Sequence, residues 1–319
     1  MEELILIDGN SLLFKAYYAT ASMGNLMVNK DGIPTNAVFG FANMLQKILE
    51  RESAYIVVAF DYGKKTFRND LLEQYKATRK ETPDELKCQF AMVRDFLDAY
   101  SIPYYELEGY EGDDLIGTLS RLGEEQGLSV SIFTGDKDAF QLVSKQTTVY
   151  RTVKGVTQLD VYTPETIQEK YGLVPDQIRD FLGLMGDSAD NIPGIKGVGE
   201  KTALKLLHEY GTIENLKEHM HEIKGKMGEK IRENIDIGLQ SKKIATILRD
   251  VPVTLDLNQA RYDGYDFEKL KAFYTHYDMN SLLKKISVQS RPTSKTDFQY
   301  EVVQKMPPIQ EDSSVLGAI

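Results

Sequence analysis

Cysteine is almost missing from this chain. Cys88 stands alone among 319 residues, so no intrachain disulfide can form. A structural zinc site, which draws on several thiolates, is excluded too. A reducing, cytoplasmic setting is expected, and the acidic start Met1-Glu2-Glu3-Leu4 does not read as a signal peptide. No apolar run approaches the roughly 20 residues that a membrane span needs. Internal repeats and low-complexity tracts are absent. Histidine is scarce as well. His208, His219, His221 and His276 all fall in the second half, far from any candidate acid, and read as surface positions. No Ser-His-Asp or Cys-His arrangement can be assembled from them.

Positive charge is also in deficit. The net charge of −10 argues, taken as an average, against a polyanionic partner. The charges are segregated, however. Between Lys64 and Lys80 six basic residues (Lys64, Lys65, Arg68, Lys76, Arg79, Lys80) face two acidic ones (Asp70, Glu73). A solvated helix face accounts for such a run. Phe67 and Tyr75 interleave with it, a pattern that also suits phosphate contacts and base stacking on a single strand. Tyr75, Lys76 and Arg79 have the spacing of one helical face.

Acids at strand ends are what the sequence has in abundance. Leu4–Ile7 runs into Asp8, and Ile56–Phe60 runs into Asp61. Val130–Phe133 passes through a Thr-Gly turn into Asp136 and Asp138. Helical spacing over about 35–50, 84–100 and 113–126 alternates with strands at 4–7, 56–60 and 129–133. Thr82 before Pro83 reads as an N-cap. This order predicts a parallel sheet covered by helices, whose ligands sit beyond the carboxyl ends of the strands. After about Thr163 the pattern becomes helical, with starts at Thr163-Pro164-Glu165 and Val174-Pro175-Asp176.

Glu111, Asp113 and Asp114 open a helix, where acids complement the helix dipole. Asp187 and Asp190 lie in a glycine-rich stretch. Joined to the strand-end acids, they make nine carboxylates from separate segments. Crowded oxygen donors point to hard cations, Mg²⁺ or Mn²⁺, and their number implies two or more ions. Two metals suit in-line phosphoryl displacement. The turn Gly194–Thr202 lacks the spacing of a Walker loop. It reads as a structural turn or as a backbone-amide hairpin that grips a phosphate without reading sequence.

Seven segments together resemble the 5′ nuclease (flap endonuclease-like) domain of bacterial DNA polymerase I. They are Leu6–Ser11, Ala59–Asp61, Thr66–Arg68, Tyr75–Ala77, Tyr110–Asp114, Thr134–Asp138 and Gly186–Gly194, in family order across roughly 1–286. The resemblance implies a mostly parallel α/β sheet fold over 1–185 with a helical arch at about 64–100. It implies a helical DNA-binding subdomain at 186–286 carrying a helix–two-turns–helix element. Asp8, Asp61, Glu111 and Asp113 would lie nearest the first metal. Asp114, Asp136, Asp138, Asp187 and Asp190 would surround the second. Tyr75, Lys76 and Arg79 would line the arch, with Lys76 and Arg79 on the scissile phosphate. Lys15 and Arg68 would act on the strand as well. Gly194, Lys196, Gly197, Gly199, Lys201 and Thr202 would grip the duplex, with K⁺ on the carbonyls of 194–199.

The implied substrate is branched double-stranded DNA with a 5′ flap or RNA primer, cut by a monomer near the nucleoid, with a polymerase domain in cis. Residues 287–319 resemble a linker and the first strands of such a domain, Phe298–Val303 and Ser314–Ile319. Lys15 departs from the pattern, which has arginine there, and Ala189 stands in place of a serine. A PIN-type RNase would cluster acids similarly but would not need the glycine-rich hairpin. A phosphatase Asp-x-Asp fails, because Asp8 is followed by Asn10. A binding module without activity would have lost some of the acids.

Overall fold

Alternating burial builds the centre of the molecule, a computed structural model that describes residues 1–21, 26–154 and 158–286. Strand β1 (Glu3–Asp8) sends Leu4 and Leu6 to one face of a sheet and Ile5 and Ile7 to the other, all of them fully buried. Strands β2 (Tyr55–Ala59), β3 (Tyr104–Tyr105), β4 (Ser129–Thr134), β5 (Thr147–Lys154) and β6 (Gln158–Tyr162) complete it in the order β3-β2-β1-β4-β5-β6. The first five are parallel, and β6 runs antiparallel to β5. A sheet covered on both faces needs unbroken apolar strands, which is why β1 and β2 read as runs rather than alternations.

Helices α1 (Gly9–Ala21), α2 (Asn36–Leu49), α3 (Phe67–Leu71), α4 (Asp84–Ala99) and α5 (Gly112–Glu125) belong to this half. Helices α6 (Pro164–Tyr171), α7 (Ile178–Met185), α8 (Glu200–Tyr210), α9 (Ile213–His219) and α10 (Gly225–Ala245) follow. The last are α11 (Leu257–Ala260), α12 (Phe267–His276) and α13 (Asn280–Leu283). Leu12, Phe41, Phe96 and Tyr274 cover the Ile5/Ile7 face. Leu115, Leu119, Ile167 and Leu184 cover the Leu4/Leu6 face, and the same core continues through Ile213 and Ile235 into the helical half.

The strand-end prediction holds at β1, β2 and β4, and the helices at 35–50, 84–100 and 113–126 are α2, α4 and α5 to within a residue or two. Thr163 caps α6, its Oγ1 accepting from the Thr166 amide. Three local expectations change. Pro83 takes the N-cap position of α4 in place of Thr82, with φ −54° and ψ 142°. Its carbonyl accepts the Leu86 and Lys87 amides, and Asp84 and Glu85 complement the dipole.

The segment carrying Tyr75, Lys76 and Arg79 is a series of turns, not a helical face. Lys76 has φ +56° and its amide donates to the Asp190 carbonyl at 2.9 Å, outside the segment, which breaks the helical ladder. Helix α1 and the strands β3, β5 and β6 were not foreseen. The linker and strand-like segments expected beyond 286 lie outside the described residues. No helix among the described residues is long and apolar enough to cross a membrane.

Candidate metal and phosphate site

The parallel strands deliver their terminal acids to one edge, on both sides of the point between β1 and β4 where strand order reverses. A cavity of about 730 Å³ opens there. Its walls include Asp8, Asp61, Asp113, Asp136, Asp138 and Asp187, six of the nine acids singled out in the sequence. Lys15, Lys76 and Arg79 line it too, together with Lys137 and Arg151, which the sequence did not single out. The helical half supplies an apolar wall that includes Ile178, Phe181 and Met185.

Hydrogen bonds hold four of these carboxylates in place. Asp8 accepts from the Ser11 amide at 2.8 Å and from Thr134 Oγ1 at 2.7 Å. Asp61 accepts from the Gly112 amide at 2.7 Å and from Asn10 Nδ2 at 3.1 Å. Asp136 accepts from the Asp138 amide at 2.9 Å. Asp187 accepts from the Ala189 amide at 2.8 Å. That bond uses the backbone, so the serine-to-alanine departure leaves it intact.

Glu111 and Asp190 meet beside the cavity, where cations neutralise them. Lys76 Nζ is 2.8 Å from Glu111 and 3.7 Å from Asp190. Arg79 pairs with Asp190 through Nε at 3.1 Å and also through Nη2. The buried Tyr75 hydroxyl reaches both acids at 3.1 Å. Tyr75 therefore does not offer its ring for base stacking. Burial, then the two acids, push its pKa upward. Burial alone would lower Lys76, but Glu111 and Asp190 outweigh it and keep the ammonium charged.

Two residues that the sequence assigns to the site are bonded elsewhere in this structure. Asp114 is fully buried, and its two oxygens take Arg68 Nη1 at 2.6 Å, Arg68 Nη2 at 2.8 Å and the amides of Glu111 and Leu248. No lone pair is left facing the cavity. Arg68, only 2 % exposed, also donates to the carbonyls of Ile244 and Thr246, which commits its guanidinium to the protein interior. The pair ties α3, α5 and the end of α10 together. Lys15 does line the cavity, but its Nζ donates to the Thr152 carbonyl and, at 2.6 Å, to Thr152 Oγ1.

The glycine-rich turn contributes Glu200 to the cavity wall but none of its glycines. Gly186 and Gly194 have φ +77° and +61°, and a Cβ on Gly186 would fall 2.6 Å from the Ile192 carbonyl. The hairpin requires glycine at both. Gly197, at φ +85°, and Gly199 expose the backbone just before α8, next to exposed Lys196 and Lys201 and half-buried Thr202.

The donor set fits hard divalent cations. It is all oxygen, and its negative charges oppose one another. Burial raises the Asp8 pKa to about 6, and Asp61 and Asp136 add to the rise. Asp113 and Asp138 are also raised, by burial first and then by neighbouring acids. Among the described residues no three of these side chains yet meet at one ion position. They surround a space while Lys76 and Arg79 occupy Glu111 and Asp190.

A pH effect follows. A carboxylate raised in the folded state binds more protons folded than unfolded, so it costs stability as pH climbs from 3.8 towards 6. In EDTA, replacing Asp8 with Asn should remove that component. Thermal melts from pH 4 to 8 should show the variant gaining stability relative to the parent as pH rises. Mg²⁺ or Mn²⁺ should reverse the ranking above pH 6. Parallel melting curves with and without metal would refute it.

Fold and site together define a 5′ nuclease-type α/β protein with an acid-lined cleft. Two family models agree with it: the 5′-3′ exonuclease N-terminal resolvase-like domain matches residues 3–172, and the 5′-3′ exonuclease C-terminal SAM fold matches residues 173–268. The chain belongs to the 5′-3′ exonuclease family, an enzyme family of nucleases. It is 48% identical to DNA polymerase I of Bacillus caldotenax over 93% of this chain and 34% of that protein. It is 47% identical to DNA polymerase I of Bacillus subtilis over 91% of this chain and 33% of that one. It thus spans about a third of the length of these relatives.

Among solved structures, T5 5′-exonuclease with bound divalent zinc ions matches with a TM-score of 0.62 and 19% identity, covering 76% of this chain and 89% of that one. The catalytic core of Rad2 in complex with DNA substrate matches at 0.59 and 17%, covering 88% and 91%. These likenesses establish the fold.

Proposed function

We propose that this chain hydrolyses DNA phosphodiesters at 5′ flaps and 5′ ends, leaving a 5′-phosphate and a 3′-hydroxyl, and so removes RNA primers and displaced strands. One observation carries the reading: acids from the strand ends, α5 and the helical half line a single cavity together with Lys76 and Arg79. Asp8, Asp61, Glu111 and Asp113 would hold one divalent ion. Asp136, Asp138, Asp187 and Asp190 would hold a second, directly or through water. Mg²⁺ or Mn²⁺ bound there would supply a hydroxide nucleophile and a Lewis acid for the leaving oxygen.

The remaining work falls to the chain's own side chains. Ser11 and Thr134 orient Asp8, and Asn10 orients Asp61. Lys76 and Arg79, once released from Glu111 and Asp190, stabilise the charge that develops on the scissile phosphate. The exposed backbone at 196–199, with Lys196 and Lys201, offers donors to a duplex phosphate. Carbonyls of the 194–199 turn would hold K⁺. A polymerase domain in cis is part of the same reading, because the relatives that match are DNA polymerases.

A labelled 5′-flap duplex and its matched single strand test this. With Mg²⁺ the flap duplex should be cut near its junction and the single strand spared, and EDTA should stop the reaction. Preferential cutting of plain single-stranded RNA, or cutting in EDTA, would refute it.

A further inference from the structure

Two cations on the cavity wall are not held by its acids. Arg151, on β5, makes no side-chain hydrogen bond among the described residues. Its Nε is buried without a partner, and its ion pair with the partly exposed Asp160 is a loose 3.6 Å. Lys15, on α1, anchors to Thr152, the next residue along β5. The two stand close enough that Arg151 helps depress the Lys15 pKa, second only to burial. Beside them Gly135 leaves a recess. A Cβ there would sit 2.7 Å from Ser11 Oγ, 3.3 Å from Lys15 Nζ and 3.5 Å from Thr152 Oγ1. The Lys15 ammonium and two hydroxyls thus converge next to the acid cluster, with the Arg151 guanidinium on the same cavity wall.

Carboxylates offset these like charges only in part: Asp160 stands 3.6 Å from Arg151, and Asp8 acts on Lys15 from a distance. A small free anion would be repelled by the neighbouring acids. An anion tethered to a strand already held elsewhere on the protein would be delivered regardless, and the phosphates of a nucleic-acid strand are such anions. Lysine offers a point charge, whereas the Arg151 guanidinium offers a fork that fits two phosphate oxygens.

We infer that Lys15 and Arg151 form a subsite for a second backbone phosphate of the bound strand, next to the one at the acid cluster, with Arg151 making the directional contact. The inference rests on the nuclease reading above and adds a residue to it. Where the family pattern has arginine at position 15 this chain has lysine, and Arg151 supplies the missing fork from the adjacent strand.

Counter-ion release gives a test that needs no turnover. Each phosphate contact contributes about 0.7–0.9 to the slope of log K against log salt. Anisotropy of a labelled 5′-flap duplex, titrated in EDTA between 50 and 200 mM salt, should show Arg151→Met with a slope shallower than the parent by that amount, a difference of about threefold in the affinity lost across the range. Arg151→Lys should keep the parental slope, and Asp160→Asn should tighten binding. A lower melting temperature for Arg151→Met with an unchanged slope would make Arg151 merely structural and overturn the inference. Failure of the parent to bind the flap duplex at all would instead overturn the nuclease reading on which it stands.

Discussion

Asp113→Asn should abolish cleavage of a 5′ flap, by about a thousandfold or more, while leaving flap binding in EDTA close to the parent's. The magnitude is that of losing an essential electrostatic contact to the transition state. The carboxylate faces the cavity, and its pKa is raised well above the ordinary range by burial first and then by the charges of Asp8 and Asp136. Removing the charge should therefore relax the metal-free protein. In EDTA the melting temperature of Asp113→Asn should equal or exceed the parent's. The rise in melting temperature that Mn²⁺ gives the parent should shrink, because an ion that binds the folded state stabilises it in proportion to its affinity. Full cleavage by the variant in Mg²⁺ would remove Asp113 from the metal set. Loss of cleavage with an intact Mn²⁺ response would assign it another role.

Asp114→Ala should behave in the opposite way. Its carboxylate is matched to Arg68 through two hydrogen bonds, in a place that water does not reach. Stranding the guanidinium there should cost about 3–5 kcal/mol, read by urea unfolding. The Mn²⁺-dependent stabilisation of whatever protein remains folded should persist, since Asp114 has no oxygen free for an ion. Replacing both partners with apolar residues, Arg68→Met with Asp114→Leu, should recover much of the loss, because a buried ion pair is often no better than well-packed apolar groups. A mild effect of Asp114→Ala, with loss of the Mn²⁺ response, would return Asp114 to the metal site. Asp113 and Asp114 are neighbours in sequence, yet one should govern chemistry and the other stability.

That contrast marks where sequence reading works and where it stops. Asp8, Asp61 and Asp136 were legible because a parallel strand ends in a fixed direction and its next residue must lie at the sheet edge. The helices α2, α4 and α5 were legible from their apolar spacing. Asp114 was not separable from Asp113, because its role depends on Arg68 and on the backbone at Ile244–Leu248, more than a hundred residues away. Arg68 itself sits inside a basic run, and charge alone gave no sign that it alone in that run is buried under carbonyls. Tyr75–Arg79 has helical spacing but lies in turns, since the Lys76 amide and the Lys76 and Arg79 side chains answer to Asp190. Arg151 left no sign at all. It lies in a strand of mixed polarity whose place beside β4 is a matter of tertiary pairing.

The strand order has one more consequence, for how the folded molecule meets others of its kind. Unpaired strands at the margin of a sheet invite further strands to add, and that is a route to polymeric aggregates. Here β3 closes one margin after only two residues, Tyr104 and Tyr105. The opposite margin, β6, runs against the rest of the sheet and carries the charge of Asp160 midway along its five residues. A second sheet would find little backbone to extend on one side and a carboxylate to bury on the other.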